Sequence, residues 1–235
     1  MLQTMSDAMT GPEAMKRAAA LRALALVDSG MLLGLGTGST ARWLVEELGR
    51  ALARGELTRV RGVATSKQTE AQAAALGIPL VELPPGGVDL AIDGMDELTA
   101  GLDAIKGLGG ALTREKIVAA AAKRFVLIGD ASKLVAHLGE KAPLPVEVVR
   151  FGRLRTERLL AELGGEVRQR LVGPEPFVTD NGNLVYDIRF STPFDAPTLA
   201  ARLAGTPGVV EHGLFLGMAE RAFVATDTGV DEVAG

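Results

Sequence analysis

Short apolar runs recur along the first half of the chain, with helix-patterned segments between them, and this alternation restricts the fold more than any other feature. The runs are "MLLGLG" (31–36), "TRVRGVA" (58–64), "IPLVEL" (78–83), "VDLAID" (88–93) and "FVLIGD" (125–130). Thr10-Gly-Pro-Glu13 reads as a capping box with proline in the first turn, opening an Ala/Leu helix through about Val27. From Thr40, helical spacing places Trp43, Leu44, Leu48 and Leu52 along one side. A third helix runs from about Lys67 to Leu76, capped by Thr65 or Ser66 and ended by Gly77, and a fourth from about Thr113 to Lys123. Strands alternating with helices predict a doubly wound, mostly parallel, Rossmann-like sheet of the α/β class. Ligands of such sheets lie beyond the carboxyl ends of the strands, where "GTGS", Asp93 and Asp130 all fall.

After "KAPLP" (141–145) the pattern changes. "PVEVV" is a strand, "RTERLLAELGG" a helix, "EVRQRL" a strand, and "FVTDNGNLVYDIRF" a hairpin turning at Asn181-Gly182. A helix near 196–204 and a strand "GVVEHGLFLG" follow. This β-α-β-β-α-β order predicts a smaller inserted α+β, ferredoxin-like domain. The expected division is 1–141 with 216–235 for the larger domain and 142–215 for the smaller, the chain returning to the first sheet through "RAFVAT".

Composition narrows the function classes. A chain of 235 residues with 47% hydrophobic content can bury a large core. The net charge of −4 and the lack of any basic stripe argue against nucleic acid as a partner. The absence of cysteine removes disulfides, thiol catalysis and Cys-ligated zinc. "MLQTMSDAMT" lacks the basic start and apolar core of a secretory signal, and no apolar run approaches the roughly 18 residues of a membrane span. A soluble, cytoplasmic protein is expected.

Two groups of residues carry possible chemistry. "GLGTGST" (34–40) joins a strand to a helix N-terminus, where free N–H groups and the helix dipole favour an anion. It lacks the third glycine of a dinucleotide fingerprint, where Ser39 stands, and the lysine of a Walker loop. Thr37, Ser39 and Thr40 suit one small phosphate, although a tight turn with a Ser/Thr cap explains the same residues. The second group is the carboxylate run of "DLAIDGMDEL", with Lys106, Glu115 and Lys133 downstream. Taken singly, Asp93-Gly94 is an ordinary strand-ending turn, Glu115 a helix-dipole complement and Lys106 a solvated lysine. Taken together, they converge on one rim beside the glycine-rich "KGLGG". Asp93, Asp96, Glu97 and Asp103 offer oxygen ligands to a hard cation, but two lysines in the same set make a metal unnecessary, and none is expected. His137 and His212 neighbour no motif, and structural roles are expected for both.

The stretches "GLGTGSTA", "DLAIDGMDE", "KGLGGALTREKIV", "DASK", "PLPVEV", "VTDNGN" and "PGVVEHGLF" together resemble the type A ribose-5-phosphate isomerase family, in family order, from about Lys16 to Phe215. The resemblance implies interconversion of D-ribose 5-phosphate and D-ribulose 5-phosphate, without cofactor, in the non-oxidative pentose phosphate pathway, by a homodimer or homotetramer. By position, Glu115 matches the proton acceptor. Thr37, Gly38, Ser39 and Thr40, then Asp93, Gly94, Met95 and Asp96, then Lys106, Gly107, Leu108 and Gly109, and Lys133, match substrate-binding stretches. Lys16 matches a phosphate-contacting lysine, while Met95 and Leu108 replace residues that vary or are smaller in other members.

The residue chemistry agrees with that implication. One carboxylate of suitable pKa can carry a proton between C1 and C2 through an enediolate, which suits Glu115. The developing oxyanion needs a fixed positive charge, for which Lys106 is the candidate. Asp93 and Asp96 would position hydroxyls and shuttle protons as the furanose ring opens, one carboxyl staying protonated beside the others, with Glu97 structural. Two rivals remain: a sugar-phosphate-sensing regulator, and an amino-sugar-phosphate isomerase of related fold. The regulator needs a DNA-reading module ahead of the sensor, whereas about a dozen residues precede the first helix here.

Overall fold

The computed structural model describes residues 11–234. Its first half runs α1 (Pro12–Leu24), β1 (Leu32–Leu35), α2 (Ala41–Ala53), β2 (Arg61–Ala64), α3 (Lys67–Ala75), β3 (Leu90–Gly94), α4 (Leu112–Ala120) and β4 (Phe125–Asp130). A second unit follows: β5 (Leu144–Val148), α5 (Arg153–Ala161), β6 (Glu166–Gln169), β7 (Leu184–Arg189), α6 (Ala196–Ala204) and β8 (Val209–His212). The chain then closes with β9 (Arg221–Thr226) and β10 (Gly229–Ala234).

The larger sheet has the order β10-β9-β4-β3-β1-β2, parallel throughout except for the edge strand β10. Strand alternation divides its side chains between two cores. Leu33, Leu35, Ile92, Val126 and Ile128 pack with Ala19, Ala23, Leu44 and Leu48 of α1 and α2. On the opposite face, Ala91, Phe125 and Leu127 meet Val118 and Ala119 of α4. Burial on both faces is why these strands read as continuous apolar runs. The second unit is an antiparallel sheet ordered β8-β5-β7-β6, the arrangement of a split β-α-β pair, with its own core around Val146, Tyr186, Leu160 and Leu203. A three-stranded ladder pairs Glu97–Leu98 and Ala104–Ile105, which lie between β3 and α4 in the chain, with Leu214–Phe215, which follows β8. Among the described residues, no helix is long and apolar enough to cross a membrane.

Several sequence expectations change. Residues 78–83 form one bridge, Leu80 to Gly62, rather than a strand, because Pro79 lacks an N–H to donate. The arm 177–180 of the expected hairpin also makes a single bridge, Val178 to Leu184. Both edges of β7 are already taken by β5 and β6, so no ladder is left for that arm. "GVVEHGLFLG" divides at Gly213, giving β8 to one sheet and Leu214–Phe215 to another. The capping residue Thr10 lies outside the described residues. α1 starts at Pro12, and Glu13 instead accepts hydrogen bonds from Lys16, Arg42 and the Trp43 indole.

Candidate active site

β1 and β3 lie side by side and end at the same rim. After β1, the chain turns through Gly36–Thr40 into α2, and Asp93, near the end of β3, sits directly beneath this turn. A Cβ on Gly36 would fall 2.2 Å from Asp93 Oδ1, so only glycine lets the carboxylate tuck under the loop. There Asp93 Oδ1 accepts the N–H groups of Thr37 at 2.9 Å and Gly94 at 2.7 Å. Thr37 turns its hydroxyl inward, onto Thr65, Ser66 and Thr69. Of the three hydroxyls expected to face a phosphate, Ser39 and Thr40 therefore remain available, both on the cavity wall.

Lys106 enters from the three-stranded ladder, its N–H held by the Gly213 carbonyl at 2.9 Å. Its side chain is buried, with the ammonium 3.1 Å from Asp93 Oδ2, 3.5 Å from Glu115 Oε2 and donating to the Gly94 carbonyl at 2.5 Å. The Phe215 ring lies beside it, 5.4 Å from the ammonium. Gly107 follows at φ +102°, and a Cβ there would meet Leu112 at 2.6 Å, so the turn out of Lys106 requires glycine. Glu115 comes from α4, where Leu112, Glu115, Val118 and Ala119 share the buried face. Its Oε2 is buried and has no hydrogen-bond partner.

Thr37, Gly38, Ser39, Thr40, Gly94, Met95, Asp96, Lys106, Gly107, Gly109, Glu115 and Lys133 line one cavity. Asp93 lies beneath it, tied to Lys106. Leu108 is exposed and contributes its N–H, which donates to Asp96 Oδ2 at 2.9 Å. Lys16 is not on the lining, and its ammonium pairs with Glu13 at 2.8 Å. Glu97 is buried and accepts three backbone N–H groups, from Gly139, Lys141 and Ala142, which is a structural task. Asp130 also stands apart, capping the turn at Ser132.

Burial raises the Glu115 pKa to about 8; Lys106 opposes that rise, while Asp93 and Asp96 add to it. Burial likewise raises Asp93 against the pull of Lys106 and its backbone donors. Desolvation works against the Lys106 ammonium, but the facing carboxylates outweigh it and its pKa rises. His212 is driven down to about 4, first by burial and then by Lys116, and stays neutral. Among the described residues, no group of three or more acidic, histidine or cysteine side chains is arranged to hold a metal ion.

Two supports of this site escaped the sequence reading. Glu147 of β5 is fully buried, and its carboxylate accepts from Thr113 on α4 and from Thr179, Asn181 and Asn183. It fastens the start of the helix that carries Glu115 to "VTDNGN". Arg170, after β6, reaches the carbonyls of the 106–109 loop. Neither has a local sequence signal, since the partners lie far away along the chain.

Fold and site define a doubly wound α/β enzyme whose cavity joins an anion-favouring helix start to a buried ammonium and its two carboxyl neighbours. Residues 61–229 match the family described as ribose 5-phosphate isomerase A (phosphoriboisomerase A). The chain is 55% identical to ribose-5-phosphate isomerase A of Deinococcus radiodurans, over 94% of its own length and 98% of the relative's. It is 53% identical to that of Roseiflexus castenholzii, over 93% and 94%. The ribose 5-phosphate isomerase of Plasmodium falciparum superposes with a TM-score of 0.92 at 38% identity, covering 95% of this chain and 99% of that one. A D-ribose-5-phosphate isomerase in complex with phospho-erythronic acid gives 0.93 at 36% identity, covering 96% and 100%. The chain belongs to the ribose 5-phosphate isomerase A family and interconverts ribose 5-phosphate and ribulose 5-phosphate in the pentose phosphate pathway.

Proposed function

We propose that the cavity below the Gly36–Thr40 turn is where this isomerisation occurs, with Glu115 as the group that moves the proton. The observation that carries the reading is the buried, unpartnered Glu115 Oε2 on the cavity wall, 3.5 Å from the Lys106 ammonium. A base must be free to accept a proton and must carry a pKa near the working pH, and a carboxyl raised to about 8 meets the second need. It takes the C2 proton of the open aldose and returns it to C1. Lys106 stabilises the negative charge that builds on the enediolate oxygen. Asp93 and Asp96 hold sugar hydroxyls and pass protons during ring opening, and Lys133 lies across the same cavity.

The phosphate belongs at the start of α2, on Ser39, Thr40 and the backbone N–H groups of the turn 38–41, beside Gly109. The next two N–H groups, of Arg42 and Trp43, already bond the Gly38 and Thr40 carbonyls. Support for a phosphorylated, hydroxyl-bearing ligand comes from the structural relative, a D-ribose-5-phosphate isomerase in complex with phospho-erythronic acid. Replacement of Glu115 by Gln tests the assignment: turnover should vanish while calorimetric binding of ribose 5-phosphate persists. A near-normal kcat would remove Glu115 from the base role.

We further propose a homodimer or homotetramer, in which residues 142–215 form a separate small domain that contributes contacts. Phe151, Leu154, Leu171 and Val172 of that unit are exposed apolar side chains, consistent with a covered surface. Light scattering of the purified protein decides this, and a monomeric mass would overturn it. A cytoplasmic location follows from the metabolic role and is read by fractionation.

A further inference from the structure

The Lys106–Gly110 loop forms one wall of the cavity but has few side chains with which to fix itself. Three of its residues are glycines, and Leu108 points no contact into the lining. Its carbonyls are instead held from the second sheet. Arg170 Nη1 donates to Leu108 O at 2.8 Å and to Gly107 O at 3.2 Å. The rest of the guanidinium is engaged by Asp187 of β7, which accepts from Nε at 2.8 Å and also from Nη2. The Phe177 ring packs near the guanidinium carbon at 5.8 Å. This pair is largely shielded, with side-chain exposures of 14% and 21%.

We infer that Arg170 is a positioning residue for the isomerisation: locked by Asp187, it fixes the two peptides flanking Leu108 and thereby Asp96. The path is short. The peptide joining Gly107 to Leu108 accepts from Arg170 through the Gly107 carbonyl, while its N–H, that of Leu108, donates to Asp96 Oδ2 at 2.9 Å. The Leu108 carbonyl, on the next peptide, accepts from the same Arg170 nitrogen. One rigid planar fork thus sets both the wall formed by Gly107 and Gly109 and the carboxylate across from it. A bidentate Asp187 contact leaves the remaining N–H groups pre-aimed, which a lysine ammonium does not reproduce. The inference rests on the reading of this cavity as the isomerisation site.

The test compares Arg170→Lys, Asp187→Asn and Glu115→Gln with the parent, with steady-state kinetics on ribose 5-phosphate and amide hydrogen exchange as readouts. Arg170→Lys keeps a charge beside Asp187 and so protects the fold, while losing the fork. It should lower kcat/KM roughly ten- to hundredfold, chiefly through KM, because the wall is displaced rather than the base removed. Exchange at the Leu108 and Gly110 amides should quicken about tenfold or more, with β7 amides unchanged. Asp187→Asn should show the same signature more weakly. A kcat/KM within about twofold of the parent overturns the inference, as does faster exchange spread equally over the loop and β7. Turnover persisting in Glu115→Gln overturns the site reading itself; turnover lost there but intact in Arg170→Lys overturns only the clamp.

Discussion

Lys106 faces two carboxylates, all three side chains almost wholly buried, with Asp93 at 3.1 Å and Glu115 at 3.5 Å from its ammonium. One cation and two buried anions leave a net charge, and the trio is neutral only when one carboxyl keeps its proton. Asp93 already receives two backbone N–H groups, whereas Glu115 Oε2 receives none, so the proton resides mainly on Glu115. Its pKa accordingly rises from 4.5 to about 8. Because the folded state holds this proton more tightly than the unfolded chain, the resulting stability is complete below pH 4.5 and lost as pH rises through about 8. Between about pH 5 and pH 9 the parent loses at most about 4 kcal/mol from this pair.

Glu115→Gln removes the ionisation and leaves Lys106 with a single anionic partner. The variant should therefore equal the parent near pH 5 and exceed it by up to about 4 kcal/mol near pH 9, while being catalytically dead. Urea unfolding of both proteins at about pH 5, 7 and 9, followed by fluorescence of Trp43, measures the difference. Parallel stability profiles across that range would place the proton elsewhere and refute the charge argument.

Other expectations follow from the same geometry. In the parent, kcat/KM should climb with pH along an acid limb near 8, because Glu115 must be ionised to accept a proton; a flat profile between about pH 6 and 9 counts against it. Thr40→Val should raise KM for ribose 5-phosphate about tenfold with little change in kcat, and an unchanged KM would move the phosphate off the start of α2. Glu147→Leu strands the hydroxyls of Thr113 and Thr179 and the amides of Asn181 and Asn183, and should cost about 3–5 kcal/mol by urea unfolding. Dialysis against EDTA should leave kcat unchanged, since the Lys106 ammonium supplies the positive charge; loss on chelation with recovery on added Mg²⁺ would show a required metal.

The parallel sheet was legible because its strands are buried on both faces and carry an unbroken apolar signal, as in Leu32–Leu35 and Phe125–Asp130. Residues 78–83 carry a similar apolar signal yet remain unladdered, because pattern alone does not register the missing Pro79 donor at a sheet edge. Glu115 shows the limit for a site residue. An acid in a first helical turn ordinarily complements the dipole, and only its common face with Leu112 and Val118 sends it inward. Thr37 shows the limit for a hydroxyl: the residue lines the cavity, yet its side-chain oxygen is engaged elsewhere. Its hydroxyl bonds Thr65, Ser66 and Thr69, about thirty residues away, a pairing that no local pattern signals. Arg170 lies on a short polar stretch whose partners in the 107–108 loop are more than sixty residues away.

The carboxylates of "DLAIDGMDEL" bring these lessons to one place. Adjacent acids look alike in a sequence, yet Asp93, Asp96 and Glu97 each have a different set of donors. Asp93 takes Thr37, Gly94 and Lys106, and is thereby tied to the proton shared with Glu115. Asp96 takes the Leu108 N–H and faces the cavity, so its orientation follows the glycine-rich loop. Glu97 takes three N–H groups from residues 139–142 and closes a chain turn. Their mutual repulsion is tolerated because each is stabilised by separate donors and only Asp93 lies against the buried ammonium. Strand alternation fixes which way each side chain leaves the backbone, but the donors come from three distant segments. Division of labour among these acids is therefore a property of the tertiary fold: moving residues 139–142 would change Glu97 alone, whereas moving residues 106–108 would disturb Asp93 and Asp96 together.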